Sequence, residues 1–221
     1  MGRRRVHLSR HGFVARFPSD TWICPGLPDI GDVFAFDDSR FAAEGLELHR
    51  GDRRRLAEQL PILRGMLNAS FAQLGYYTEI SAEQLRRQTD GLAHLLDEDL
   101  LLYLTKAGRP IGFVLCVPDI APFLAAVGGD LHLGNQLRLL ATRGRYRREA
   151  VLVIKGVVPD EQGNGYARLL SRELLRNLRA GGYRTLRSTW VERTNPASAA
   201  QYLAMGGRPL HGCTFYIKDM A

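Results

Sequence analysis

The sequence predicts an α/β protein: a mixed sheet flanked by helices, in one large domain over residues 46–221 behind an irregular N-terminal extension, 1–45. Three observations carry this. From residue 46 on, strand-like runs rich in β-branched residues alternate with runs of helical spacing. The run AVLVIKGVV (150–158) is apolar almost throughout, as in a strand buried on both faces. Immediately after it, the glycine-bearing stretch VVPDEQGNGYAR (157–168) leads straight into an amphipathic segment. A chain of 221 residues, 45% hydrophobic, suits one such domain with a sizeable core.

Residues 1–45 are punctuated by Pro18, Pro25, Gly26, Pro28 and Gly31, and the Arg3–Arg5 run reads as a solvated tail. LELHR (46–50) is a candidate first strand. Leu56, Leu60, Leu63 and Leu67 are helically spaced, and Pro61 is expected to kink or split that helix. Ser81-Ala82-Glu83-Gln84 has the form of a capping box and opens a second helix to about Leu96. Residues 100–119 form two strand-like runs around Ala107-Gly108-Arg109-Pro110, a hairpin. A long connection follows, with helical pieces near APFLAAV and GNQLRLL and a basic cluster at Arg143, Arg145, Arg147 and Arg148. After the glycine loop, Ala167, Leu170, Leu174 and Leu178 stripe a helix that Gly181-Gly182 stops. Its arginines Arg168, Arg172, Arg176 and Arg179 are expected on a solvated face. TLRSTWV (185–191) is a strand. Asn195 caps a short helix with Pro196 at its first position, and CTFYIKDM is a last strand.

The net charge of +7 is mostly arginine; lysine occurs only at 106, 155 and 218. Such a balance attracts phosphates, acidic proteins and anionic surfaces alike, so it narrows the partner little. Cys24, Cys116 and Cys213 are widely spaced, which indicates neither a zinc site nor a disulfide framework, and Cys116 is expected in the core. His94, His132 and His211 have no metal-like spacing. MGRRRV lacks an apolar region behind its arginines, and no apolar run reaches membrane-spanning length. The expectation is a soluble, cytoplasmic protein without a metal.

The glycine loop is the most informative stretch. A helix begins with N–H groups that lack internal partners and carry partial positive charge, and glycines let them approach a ligand closely. The loop lacks the Gly-Lys-[Ser/Thr] of a Walker motif, and Arg168 stands where a dinucleotide fingerprint needs its third glycine. A tight turn without a ligand is the plain alternative.

Gln162-x-x-Gly165-x-Ala167, after Val157-x-Pro159, resembles the Q/R-x-x-G-x-G/A motif of the GNAT acyltransferases. Asn195, Ser198, Tyr202 and Gly206 are similar in spacing to that family's second signature, N-x-x-A-x(3)-Y-x(3)-G. The order of elements over 46–219 also looks like the family's. The resemblance implies a V-splayed mixed sheet and transfer of an acetyl or longer acyl group from acyl-CoA to a primary amine of a small molecule or peptide. It implies that the backbone N–H groups of Gln162, Gly163, Asn164, Gly165, Tyr166 and Ala167 hold the cofactor pyrophosphate, with Arg168 near a phosphate. The backbone of Val157 and Val158 would pair with the pantetheine arm, one of their N–H groups polarising the thioester carbonyl. Asn195 would sit beside the arm, or simply cap its helix. Tyr202 would protonate the departing thiolate.

The family's strand glutamate is missing: Val151 stands eleven residues before Gln162. Glu149 and Glu192 are substitute candidates for the base, and Tyr76 and Tyr77 for the acceptor pocket. Alternatives stay open: a long-chain enzyme served by an acidic acyl carrier protein docked at 143–148, or a CoA-binding module without chemistry. A nucleic-acid binder is disfavoured, and a homodimer is compatible with the family.

Overall fold

The computed structural model describes residues 8–29, 33–89 and 96–218; the Arg3–Arg5 run and His94 lie outside them. The described strands are β1 (Val14–Pro25), β2 (Leu46–Arg50), β3 (Leu101–Lys106), β4 (Arg109–Pro118), β5 (Glu149–Val157), β6 (Thr185–Ser188), β7 (Val191–Glu192) and β8 (Arg208–Ile217). They form one eight-stranded sheet, β2-β3-β4-β5-β6-β1, with β7 and β8 also paired to β1. The pairing of β5 with β6 is parallel, and the others are antiparallel. The expected mixed sheet is present.

Helices α1 (Ser39–Ala43), α2 (Leu56–Phe71), α3 (Ala82–Thr89), α4 (Ala121–Ala126), α5 (Leu133–Thr142), α6 (Tyr166–Ala180) and α7 (Pro196–Ala204) flank it. Local sequence rules account for their ends. Ser81 Oγ accepts from the Gln84 N–H at 3.1 Å while Gln84 Oε1 accepts from the Ser81 N–H at 2.9 Å, a closed capping box. Asn195 Oδ1 caps α7 through the Ser198 N–H at 3.0 Å. The β3–β4 hairpin turns on Ala107 and Gly108, both at positive φ. Pro61 sits inside a single α2, so the helix is not split there. Cys116 and Cys24 are both fully buried.

Residues 14–25 correct the expectation of an irregular extension. They form β1, wedged between β6 and β8 and hydrogen-bonded on both sides. The sequence hides this strand because its register shifts twice, between Arg16 and Pro18 and between Thr21 and Trp22. Each shift breaks the alternation that marks a strand, and Phe17 takes a positive φ at the first. A domain boundary at residue 45 would cut through the sheet.

The chain after β1 corrects a second expectation. Arg172 is buried on α6, not solvated: it ion-pairs with Glu173 and Asp38 and donates to Phe36 O. Arg179 donates to Leu27 O and Pro28 O at 2.9 and 2.7 Å. These arginines hold residues 27–29 and 36–38 against the outer face of α6, with Phe34 buried in the core. A third difference concerns β5, whose residues Val153–Gly156 are only half-buried. The cause is the sheet's opening, described below.

Trp22 of β1 is 7% exposed and stacks on Tyr202 with ring centroids 5.7 Å apart. Replacing Trp22 by Ala should lower unfolding stability by about 3–5 kcal/mol, the range for deleting a large core aromatic. Urea denaturation of the two proteins measures it; a loss under about 1 kcal/mol, as for a surface site, would contradict β1 as a core strand.

Candidate active site

Pairing between β5 and β6 ends at Leu152 and Ser188. Thr189 makes the last bridges: its N–H donates to Leu152 O at 3.1 Å and its hydroxyl to Val153 O at 2.8 Å. The chain then turns away into β7, which pairs with β1. From Lys155 on, β5 therefore has a free edge on this side while β4 still pairs with the other. The Val158 N–H donates to Ile111 O on the β4 side at 2.9 Å. Alternation then points the amide groups of Lys155 and Val157 into the gap. Of the two expected backbone donors, Val157 faces the opening and Val158 does not. Gln162 Nε2 donates to Val157 O at 3.0 Å and fixes the end of the strand.

The glycine loop lies directly beyond this edge. Pro159–Glu161 form a 3₁₀ turn, and Gly163 and Gly165 both adopt left-handed backbone, φ +84° and +83°. The Gln162 N–H bonds Pro159 O and the Arg168 N–H bonds Gly165 O, so these two are engaged. The N–H groups of Gly163, Asn164, Gly165, Tyr166 and Ala167 have no hydrogen-bond partner among the described residues. Five successive unpaired amides at the start of a fifteen-residue helix form a concave array of positive dipole. The loop's acids are neutralised from behind: Glu161 pairs with Lys106 at 3.0 Å and with Arg109 at 2.7 Å, and Asp160 with Arg109 at 2.7 Å. Arg40, which sequence reasoning did not find, donates to Asn164 O at 3.0 Å and is itself ion-paired with Glu44 at 2.5 Å. The Tyr166 side chain is buried and donates to Glu44, so this residue offers the loop its backbone only. The Arg168 side chain is exposed.

Tyr202 is 6% exposed on α7, with Ser188 at its hydroxyl. Burial pushes the phenol well above its usual range, which keeps its proton in place. Lys155 shares a small hollow with Tyr202 and Leu174 between α6 and α7. Its Nζ donates to Ser171 Oγ at 2.7 Å and to Gln201 Oε1, and burial lowers its pKa to about 7. The sequence signal for Lys155 is one cation in an otherwise apolar strand.

The two carboxylate candidates separate. Glu149 opens β5 at its closed end, level with Thr185, and accepts from Arg187 Nε at 2.8 Å. It lies eight residues from Val157, roughly 26 Å along the strand, so it is corrected to a structural ion-pair partner. Glu192 accepts from the Tyr76 hydroxyl at 3.2 Å, which brings two expected site residues together. Tyr76 packs edge-on against Phe17 and Trp190, at 4.5 and 5.3 Å, and parallel to Phe215 at 6.3 Å. Trp190 and Phe215 are each 38% exposed. Tyr77 instead donates to Asn68 Oδ1 at 2.6 Å and secures the turn after α2. Asn195 spends its side-chain oxygen on the α7 cap.

On the opposite face of the sheet from α6, an apolar cavity of about 310 Å³ lies between α2, α3 and strands β3–β5. Val153 and Ile154 of β5 are part of its wall, as are Leu63, Leu67 and Phe113. Two side-chain groups on α2 are buried without a partner, Arg64 Nε on this wall and Ser70 Oγ. Ser70 stands against Gly156, where any Cβ would come within 2.8 Å of Ser70 Cβ.

The same arrangement of sheet and helices occurs in known structures. A GCN5-related N-acetyltransferase from Sphaerobacter thermophilus superposes with a TM-score of 0.63 at 13% identity, over 96% of this chain and 55% of that one. The chain has the GNAT fold. A GCN5-related glucosamine N-acetyltransferase region of a fungal multi-domain GH3 β-N-acetylglucosaminidase gives a TM-score of 0.58 at 14% identity, over 96% of this chain and 22% of that one. In sequence, the chain is 22% identical over 174 residues to protein YghO of Escherichia coli (strain K12), over 76% of this chain and 45% of that protein. It thus spans less than half of that relative and about half of the first structure. No protein-family model matches it. Within this GNAT fold no cluster of three or more His, Cys, Asp or Glu among the described residues could hold a metal, and no described helix is long and apolar enough to cross a membrane.

Lys155 gives a pH-dependent test of the gap. Its folded pKa lies below the ordinary value of 10.5, so the folded protein sheds a proton that the unfolded chain keeps. The penalty is absent above the ordinary value, grows as pH falls, and is complete below about 7. Lys155→Met should therefore gain more stability relative to the parent at pH 7 than at pH 10, by at least about 1 kcal/mol given about 1.4 kcal/mol per pKa unit. Chemical denaturation at both pH values measures it; an equal difference at both would show a solvated lysine.

Proposed function

We propose that the protein is an N-acyltransferase that moves an acyl group from acyl-CoA to a primary amine. The observation that carries this reading is the continuity of five unpaired amides, 163–167, with the free edge of β5. A thioester of coenzyme A supplies an activated acyl group. The amide array fits its diphosphate, and Arg168 adds positive charge beside it. The free amide groups of Val157 and Lys155 pair with the arm as an added strand would, and Asn195 Nδ2 is left to meet it. The Val157 N–H stabilises negative charge developing on the acyl oxygen.

Glu192 takes the proton of the ammonium, with the Tyr76 hydroxyl hydrogen-bonded to its carboxylate, and the neutral amine forms the new C–N bond. The rings of Tyr76, Trp190 and Phe215 beside that carboxylate favour a cationic acceptor through their faces. Tyr202 gives its proton to the departing sulfur as the C–S bond breaks. An inert CoA-binding module and an enzyme fed by a carrier protein are the competing readings. Thiol release from acetyl-CoA with a panel of primary amines separates them: release refutes the inert module, and a requirement for acylated carrier protein would favour the other.

Two variants test the parts. Tyr202→Phe should lower kcat by about 10²-fold, the lower end for losing a general acid, with KM for acyl-CoA nearly unchanged. Gly165→Ala should raise that KM by about tenfold or more, because a left-handed alanine is strained and relieving the strain turns the loop amides out of line. Steady-state kinetics with circular dichroism to confirm folding decide both; an unchanged KM in Gly165→Ala would remove the loop from the donor site.

A further inference from the structure

We infer that the apolar cavity behind β5 holds the acyl chain of the donor, and that the donor is a medium-chain, unbranched acyl thioester. This rests on the acyltransferase reading above and specifies its substrate. The order of features along β5 carries it. Moving back from the glycine loop, the strand presents Val157 at the free edge, then Gly156 beside Ser70, then Ile154 and Val153 in the cavity wall. An extended donor held by its diphosphate at the loop, with its arm along Val157, carries its acyl carbon toward Gly156. The chain beyond that carbon points at Ile154 and Val153.

Ser70 stands against Gly156, which lies between Val157 and the cavity-wall residues Ile154 and Val153. It is 5% exposed, and its hydroxyl has no partner. Buried hydroxyl groups are nearly always satisfied, by protein, water or ligand, and an acyl oxygen is a partner of the right chemistry for this one. The acyl carbonyl passing Gly156 supplies one. The bare α-carbon of Gly156 also matters here, since Ser70 occupies the space a side chain would need.

Size and chemistry set the chain. Protein interiors seldom leave apolar voids much larger than a water molecule. This cavity is about 310 Å³ and lined largely by leucine, valine, isoleucine and phenylalanine. An apolar cavity of about 150 Å³ accepts benzene, so the present one has room for about ten to twelve carbons. An acetyl group would leave nearly all of it empty, and a sixteen-carbon chain would extend past its apolar wall.

The test measures thiol release by the full chain from acetyl-, hexanoyl-, decanoyl- and palmitoyl-CoA with a panel of primary amines, beside fluorescence binding of 11-(dansylamino)undecanoate. Expected is a kcat/KM that rises to decanoyl-CoA and falls at palmitoyl-CoA. Leu63→Trp, which fills the cavity, should cut decanoyl transfer at least about 30-fold, leave acetyl transfer within about threefold, and abolish probe binding. Val153→Phe fills the cavity from β5 and serves if the tryptophan variant does not fold. Acetyl transfer with no chain preference and no probe binding overturns this inference while the acyltransferase reading stands. No thiol release from any thioester overturns that reading and the donor assignment with it; probe binding sensitive to Leu63→Trp would then leave the cavity as an apolar-chain site only.

Discussion

The parting of β5 from β6 after Leu152 and Ser188 is the constraint on which the site depends. A closed sheet would satisfy the amides of Lys155 and Val157 and bury the middle of β5. Thr189 ends the pairing by bonding both Leu152 O and Val153 O, after which the chain is committed to β1. What opens is a slot with hydrogen-bonding backbone on one wall, Tyr202 on a neighbouring helix, and the glycine loop at its end.

β1 and the segment after it explain how an open sheet remains stable. β1 replaces the support that β6 and β7 lose when they leave β5, pairing with both and with β8. Trp22 then packs on Tyr202, and its N–H donates to Ser188 Oγ at 2.9 Å, which ties the far side of the slot to the catalytic candidate. The following segment shields α6 through Arg172 and Arg179 and delivers Arg40 to the loop. Burying Arg172 is tolerated because Glu173, Asp38 and Phe36 O together satisfy its guanidinium. The N-terminal region therefore belongs to both the fold and the glycine-loop end of the slot.

Sequence reasoning reached the elements whose cause is local. The capping box at Ser81, the Asn195 cap, the hairpin at Gly108 and the strand–loop–helix junction at 157–168 each follow from a few adjacent residues, and each is present. Long-range facts were out of reach. Two register shifts disguised β1, and nothing adjacent to Arg172 shows that a distant segment covers it. Glu149 and Glu192 looked equivalent as isolated acids; only the sheet register puts one at the closed end and the other beside Tyr76. Ser70, Arg40, Trp190 and Phe215 matter through neighbours far away in the sequence, and no spacing rule selects them.

The most direct measurement follows backbone amide resonances of the labelled protein as coenzyme A is added. Binding at the junction predicts the largest changes at Gly163, Asn164, Gly165, Tyr166 and Ala167, with a second set at Lys155 and Val157, and little change at the closed end near Glu149. Saturable binding that leaves 163–167 unmoved, or no binding at millimolar ligand, would contradict the account.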